Sequence, residues 1–135
     1  RRVVVSFGVG LRTPAARLAD LNAIAAAAVR VAPGCTLVRC VLETGRTHQI
    51  RAHMQYIGHP LFSDATYGGD RIRVGQSTGT YRAFVENAFQ LMPRQALHAH
   101  SLGFVHPTSG EHLFFEAELP ADFAAVLEKW RNWAT

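Results

Sequence analysis

Two strand-like runs around a short turn at residues 107–110 constrain this chain more than any other feature. Residues 95–105 read as a strand, and residues 111–119 read with period two. In the second run Leu113, Phe115, Ala117 and Leu119 oppose His112, Phe114, Glu116 and Glu118. Successive side chains of a strand point to opposite faces, so such runs fit a sheet, and a turn between them makes an antiparallel hairpin. A hairpin here excludes an all-helical fold and argues against a regular series of βαβ units.

The remaining segments complete a mixed pattern. Residues 3–7 read as a strand. Thr13-Pro14 has the form of a helix start, Thr as N-cap and Pro at the first helical position, and the alanine-rich stretch to Ala28 is expected to continue that helix. Ala32-Pro33-Gly34 is a turn. Residues 37–43 alternate, with Val38, Cys40 and Leu42 on one face. A helix follows with Thr47 as expected N-cap and Gly58 as its stop; Ile50, Met54 and Ile57 form its core stripe, and His48, Arg51, Ala52 and Gln55 lie along a neighbouring face. Residues 59–74 are a loop with a short strand at the end, on which Arg71 and Arg73 alternate, and residues 75–79 form a mobile tip. Residues 81–91 fit a helix closed by Pro93. Pro120 opens a last helix with Phe123, Val126, Leu127 and Trp130 on its apolar side. The expectation is an α+β fold, a largely antiparallel sheet with flanking helices, in which residues 1–135 form a single domain.

Composition narrows the class. The hydrophobic fraction is 48% and the charged fraction 18%, which is globular rather than disordered. No apolar run approaches the roughly 20 residues needed to span a bilayer, and the start has no signal-peptide architecture, so a cytoplasmic protein is expected. The chain opens without Met, directly on a strand-like run, and is expected to be part of a longer polypeptide. Cys35 and Cys40, the only cysteines, stand five apart and would point to opposite faces of one strand, which suits two buried thiols better than a disulfide or a zinc knuckle. Charge is uneven. Up to Arg51 eight arginines stand against Asp20 and Glu43, whereas after Gly110 five carboxylates stand against Lys129 and Arg131. Arginine forks bind phosphate bidentately and stack on bases, so the first half suggests nucleic acid; a genome rich in arginine codons would give the same bias.

Residues 42–51 are the most distinctive stretch: a strand, a tight Gly turn, then a helix N-terminus crowded with polar side chains. Such an N-terminus exposes backbone N–H groups at the positive end of the helix dipole, and Arg46 and Arg51 add fixed charge. The arrangement suits a phosphate or a functional carboxylate. An ordinary capped helix with solvated charges fits the same pattern. Among the seven histidines, His98-Ala99-His100 puts two imidazoles on one strand face, but no third ligand stands at a recognisable metal spacing. His48 and His53 diverge around their helix, so no metal site is expected.

Leu42-Glu43-Thr44-Gly45-Arg46-Thr47-His48-Gln49-Ile50-Arg51 is followed by Ile57-Gly58-His59-Pro60-Leu61 and Asp64-Ala65-Thr66-Tyr67-Gly68-Gly69. Later come Leu97-His98-Ala99, Phe104-Val105-His106-Pro107, Ser109-Gly110-Glu111 and Leu119-Pro120-Ala121-Asp122-Phe123. In this order and spacing, across residues 36–130, these motifs resemble the signature of the RluA family of RNA pseudouridine synthases. The resemblance implies the pseudouridine synthase fold and a cofactor-free isomerisation: the glycosidic bond of uridine is broken, the base is turned, and C5 is rejoined to the ribose. A base inside folded RNA must first be extruded, at a cost of a few kcal/mol. Residues 93–99 look similar to enzymes that modify large-subunit ribosomal RNA, so ribosomal RNA is favoured over transfer RNA as partner.

The family's essential Asp lies in an Arg-Leu-Asp motif that precedes the segment matched here. Arg17-Leu18-Ala19-Asp20 does not match it, and Asp64 matches another family position, read as a turn or capping residue. The resemblance therefore implies a C-terminal portion of a catalytic domain, without the catalytic Asp and the N-terminal half, and inactive alone. It also assigns Arg51 to pair with that Asp, holding the carboxylate ionised; here Arg51 is expected to lack its partner. Arg46, Thr47, His48, Gln49, Tyr67, Arg71 and Arg73 are the candidate RNA contacts. Residues 1–35 depart from the family, which has a Thr and an aromatic where this chain has Ala26-Ala27-Ala28-Val29. A non-catalytic RNA-binding module that kept the fold is the second reading; an upstream Arg-Leu-Asp in the parent frame separates the two.

Overall fold

In the computed structural model residues 2–9, 24–32, 35–42, 45–72 and 79–134 are described. Strands β1 (Arg2–Val9), β2 (Ile24–Ala32), β3 (Cys35–Leu42), β4 (Leu97–Val105) and β5 (His112–Glu116) form one sheet in the order β2-β3-β1-β4-β5. Every neighbouring pair is antiparallel. Among the described residues the helices are α1 (Gln49–Tyr56), α2 (Gly79–Leu91) and α3 (Ala121–Ala134), and a 3₁₀ turn covers Ala65–Tyr67. The α+β class and the largely antiparallel sheet are as expected.

One expected helix is a strand. Residues 24–28 pair residue by residue with β3, from Ile24 opposite Leu42 to Ala28 opposite Val38, and Ala32 faces Cys35 at the closed end of the hairpin. Alanine prefers a helix in isolation, but the preference is small beside a full ladder of backbone hydrogen bonds offered by a neighbouring strand. The expected helix start at Thr13-Pro14 and the turn residues Pro33-Gly34 lie outside the described residues. So do Arg73 and most of the tip at 75–79, of which Gly79 is the first residue of α2.

The sheet separates two cores. Val38 and Cys40 on β3 meet Ile50 and Met54 of α1 and Leu61, with Leu42, Ile57 and Leu97 against them. Cys35, on the alternate set of β3 positions, joins the second core with Phe62, Ala96, α2 (Phe84, Val85, Ala88) and α3 (Phe123, Val126, Leu127, Trp130). The two thiols thus sit in different cores, as their five-residue separation predicts, and burial pushes each up to about 12. In the second core Trp130 meets Phe84 edge-on at a centroid distance of 4.8 Å, and Trp133 stacks on Phe84 at 4.4 Å. β5 is an edge strand shorter than the expected 111–119. Its ladder ends at Glu116 opposite Ser101, and the next residue turns its carbonyl to imidazole donors instead. Phe114 and Phe115 are both exposed, so of the alternating set Leu113 and Leu119 alone are partly covered, Leu119 against the second core.

Candidate functional site

The turn into α1 differs from the expected cap. His48, not Thr47, precedes the helix, in the left-handed region at φ 51°, and its side chain makes no capping bond. The turn is closed from inside the helix: Gln49 N–H donates to the Arg46 carbonyl at 3.1 Å, and Gln49 Oε1 accepts from Arg46 N–H at 3.0 Å. With that reciprocal pair in place the Thr47 hydroxyl has no capping work, and Thr47 is exposed. His48 is left with its ring beside the loop that follows α1. At the other end Gly58, at φ 83°, donates to the Gln55 carbonyl and stops the helix as expected.

The 59–70 loop is folded back on itself by two left-handed residues, Ser63 at φ 60° and Gly68 at φ 80°. Ser63 N–H donates to the Gly69 carbonyl at 2.9 Å, and Gly69 N–H donates to the Asp64 carbonyl at 2.7 Å. The crossing is so close that a Cβ on Gly69 would collide with the Leu61 carbonyl oxygen. This knot delivers Asp64 into the interior beside α1. Its carboxylate accepts from Tyr67 N–H at 3.3 Å and so caps the 3₁₀ turn, as read from the sequence.

Asp64 also does something the sequence did not reveal. Arg51 Nε donates to Oδ2 at 2.7 Å and Nη2 donates to Oδ1 at 2.8 Å, a fork-on-fork pair whose side chains are 11% and 0% exposed. Arg51 thus has an acid partner within this chain, Asp64, which stands at a motif position other than that of the family's catalytic Asp and was not anticipated from the sequence. The helix places Arg51 one position past the core stripe, and the loop knot brings a carboxylate to that spot. The bond to Asp64 pushes the Arg51 pKa further up, against the opposing effect of burial. A buried arginine beside an apolar stripe needs an anion, and residues 52–72 contain only Asp64 and Asp70 as acids. That requirement is the sequence signal for the pair.

Two more side chains complete the cluster. Arg51 Nη1 lies 3.1 Å from His48 Nε2, and His48 Nδ1 lies 3.0 Å from Tyr67 Oη. The Tyr67 ring stands over the guanidinium, 5.1 Å from Cζ to its centroid, in cation–π range. Four of the residues singled out in sequence, His48, Gln49, Arg51 and Tyr67, are thus brought together at the start of α1, with Arg46 and Thr47 exposed in the turn leading in. Arg71 is exposed in a bend, not on the expected strand.

Several other polar groups brace the hairpin and α3. His98 Nε2 and His100 Nδ1 both donate to the Ala117 carbonyl at 3.0 Å, and His106 Nδ1 accepts from Thr108 N–H and Ser109 N–H within the hairpin turn. Among the described residues no three His, Cys, Asp or Glu side chains are grouped to hold a metal. Arg94 grips Asp122 at the N-terminus of α3 through Nε at 2.8 Å and Nη2 at 2.9 Å, which holds that carboxyl below its ordinary value.

The fold is that of a pseudouridine synthase domain: the human protein RNA Pseudouridylate Synthase Domain Containing 4 superposes with a TM-score of 0.59 at 17% identity, over 96% of this chain and 62% of that one. No protein-family profile matches. Individual sequences do. An uncharacterized RNA pseudouridine synthase of Chlorobaculum parvum is 48% identical over 100 residues, 74% of this chain and 30% of the relative. Ribosomal large subunit pseudouridine synthase D of Nitrosomonas europaea is 50% identical over 97 residues, 72% of this chain and 26% of the relative. Its namesake in Zymomonas mobilis is 49% identical over 94 residues, 69% of this chain and 26% of the relative. The resemblance read from the motifs holds: over about three-quarters of its length this chain is a sequence relative of the RNA pseudouridine synthases. It spans less than a third of the length of these relatives.

Proposed function

We propose that this chain is part of the catalytic domain of an RNA pseudouridine synthase acting on large-subunit ribosomal RNA in the cytoplasm. The observation that carries the reading is the convergence of the motif residues His48, Arg51, Asp64 and Tyr67 on one cluster, in a chain whose relatives are named for that activity. Asp64 does not suit the nucleophile. Both its oxygens are taken by Arg51, its side chain is fully buried, and a nucleophile must reach the ribose. The reacting carboxylate is supplied from outside these residues. Among the described residues Arg51 uses three of its five N–H groups, on Asp64 and His48. The other two are left for that carboxylate, with Asp64 fixing the plane of the fork. Arg46, Thr47, Gln49, Tyr67, Arg71 and Arg73 contribute charge and donors for the RNA. No helix among the described residues is long and apolar enough to cross a membrane.

The experiment has two arms. Unmodified large-subunit ribosomal RNA is incubated with this chain alone and with the protein encoded by the complete reading frame, and pseudouridine is mapped. Product is expected from the complete protein and not from the chain alone. In the complete protein Arg51→Ala should lower the single-turnover rate far more than RNA affinity. A rate within about twofold of wild type, under ~0.5 kcal/mol of transition-state stabilisation, would refute the role of Arg51.

A further inference from the structure

His48 stands between a group that can only donate and a hydroxyl that can do either. A guanidinium has no acceptor, so the contact between Arg51 Nη1 and His48 Nε2 at 3.1 Å makes Nε2 the acceptor. An imidazole that accepts at Nε2 carries its hydrogen on Nδ1. Nδ1 lies 3.0 Å from Tyr67 Oη, so Nδ1–H donates and the tyrosine oxygen accepts. The direction cannot reverse while Asp64 holds the guanidinium in place by two bonds. Tyr67 therefore keeps its own hydroxyl hydrogen unused, and no described residue receives it. The ring itself is held by the guanidinium on one side and by His48 edge-on, at a centroid distance of 5.7 Å.

We propose that His48 is a positioning residue that turns the Tyr67 hydroxyl into a one-way hydrogen-bond donor for an oxygen acceptor of RNA, either a uracil carbonyl or a backbone phosphate. The inference rests on the RNA reading above and deepens it, by stating which kind of ligand atom the cluster takes. A ligand group that can only donate has no place there, because the tyrosine oxygen already accepts from His48.

Two measurements test it. The first needs no RNA: nitrogen chemical shifts of the chain labelled with ¹⁵N-histidine report the tautomer of His48. Hydrogen on Nδ1 is expected, and hydrogen on Nε2 overturns the relay. The second is binding of a short oligouridylate and of a ribose-phosphate oligomer of equal length without bases. Tyr67→Phe keeps the ring and loses the donor, and should weaken oligouridylate binding by about three- to tenfold, the worth of one hydrogen bond. His48→Ala and His48→Gln should do the same, since a Gln amide falls where Nε2 was and misses Tyr67. His48→Asn places an N–H where Nδ1 was and tolerates the left-handed backbone, so it should stay within about twofold of wild type. Loss on both oligomers assigns the acceptor to phosphate; loss on oligouridylate alone assigns it to the base. Tyr67→Phe without loss on either, or His48→Asn no better than His48→Ala, overturns the proposal. Wild-type binding to neither oligomer overturns the RNA reading, and the tautomer still decides the relay on its own.

Discussion

Removing Asp64 should damage this fold more than its place on a loop suggests. In Asp64→Ala the guanidinium of Arg51 loses two charge-assisted bonds and stays in a site that is 11% exposed. Breaking a buried pair by deleting one partner costs about 3–5 kcal/mol, because the survivor remains charged and unpaired. Loss of the cap on Tyr67 N–H adds up to about 1 kcal/mol. Against this, a long arginine stem can swing its head toward water, and the covering side chains, His48 and Tyr67, are exposed and half-buried. The reverse deletion has no such escape: in Arg51→Met the carboxylate of Asp64 is left fully buried on a short side chain. Arg51→Met should therefore cost more than Asp64→Ala. The double variant Arg51→Met/Asp64→Ala should recover much of the loss, with a coupling of about 2 kcal/mol or more. Urea unfolding followed by tryptophan fluorescence measures all four proteins, since Trp130 is buried in the second core. A cost below about 1 kcal/mol for either single variant, or costs that simply add in the double, would refute the argument.

Other consequences can be checked directly. Gly69→Ala should prevent the loop from closing, because its Cβ would meet the Leu61 carbonyl; loss of the cooperative transition is expected, and a midpoint near wild type would show that the crossing relaxes. Both thiols, pushed up to about 12 by burial, should resist iodoacetamide at mildly alkaline pH until urea unfolds the chain, as mass spectrometry would show. Arg94 lowers the Asp122 carboxyl below its ordinary 3.8, so the pair stabilises above that pH and the benefit is lost as pH falls through the lower folded value. Because both side chains are about a third exposed or more, at 40% and 32%, Arg94→Met should cost only about 0.5 kcal/mol near neutrality, and the gap to wild type should vanish in acid melts. RNA affinity should fall as salt rises, in proportion to the phosphates neutralised; a flat salt titration would contradict a phosphate-facing surface.

Periodicity made legible those elements whose burial is one-sided. The 97–116 hairpin, the apolar stripe of α1 and the Phe123, Val126, Leu127, Trp130 face of α3 all emerge where the pattern places them. It failed at residues 24–28, where alanine carries no side-chain period and the partner strand, rather than the segment itself, decides the conformation. It failed again at Thr47, where the competing cap comes from Gln49 through a long side chain that no spacing rule of Ser or Thr anticipates. In the site, the motif named His48, Arg51 and Tyr67, but the pairing of Arg51 with Asp64 spans thirteen positions and depends on the left-handed turn at Ser63. Left-handed backbone at a serine leaves no trace in composition.

Leu61 and Phe62 are consecutive, yet Leu61 belongs to the core under α1 and Phe62 to the core under α2 and α3. One peptide unit is therefore riveted into both sides of the molecule, near the start of the loop that carries Asp64. Neither half can open by itself without pulling this rivet, so amide exchange across the two cores should proceed by a single cooperative event rather than two. The same joint sets where the chain tolerates being cut. New termini in the hairpin turn at 107–110 would leave both cores stitched together, whereas a break between Leu61 and Phe62 would put Arg51 and Asp64 on separate segments and leave their ion pair to hold the cut ends.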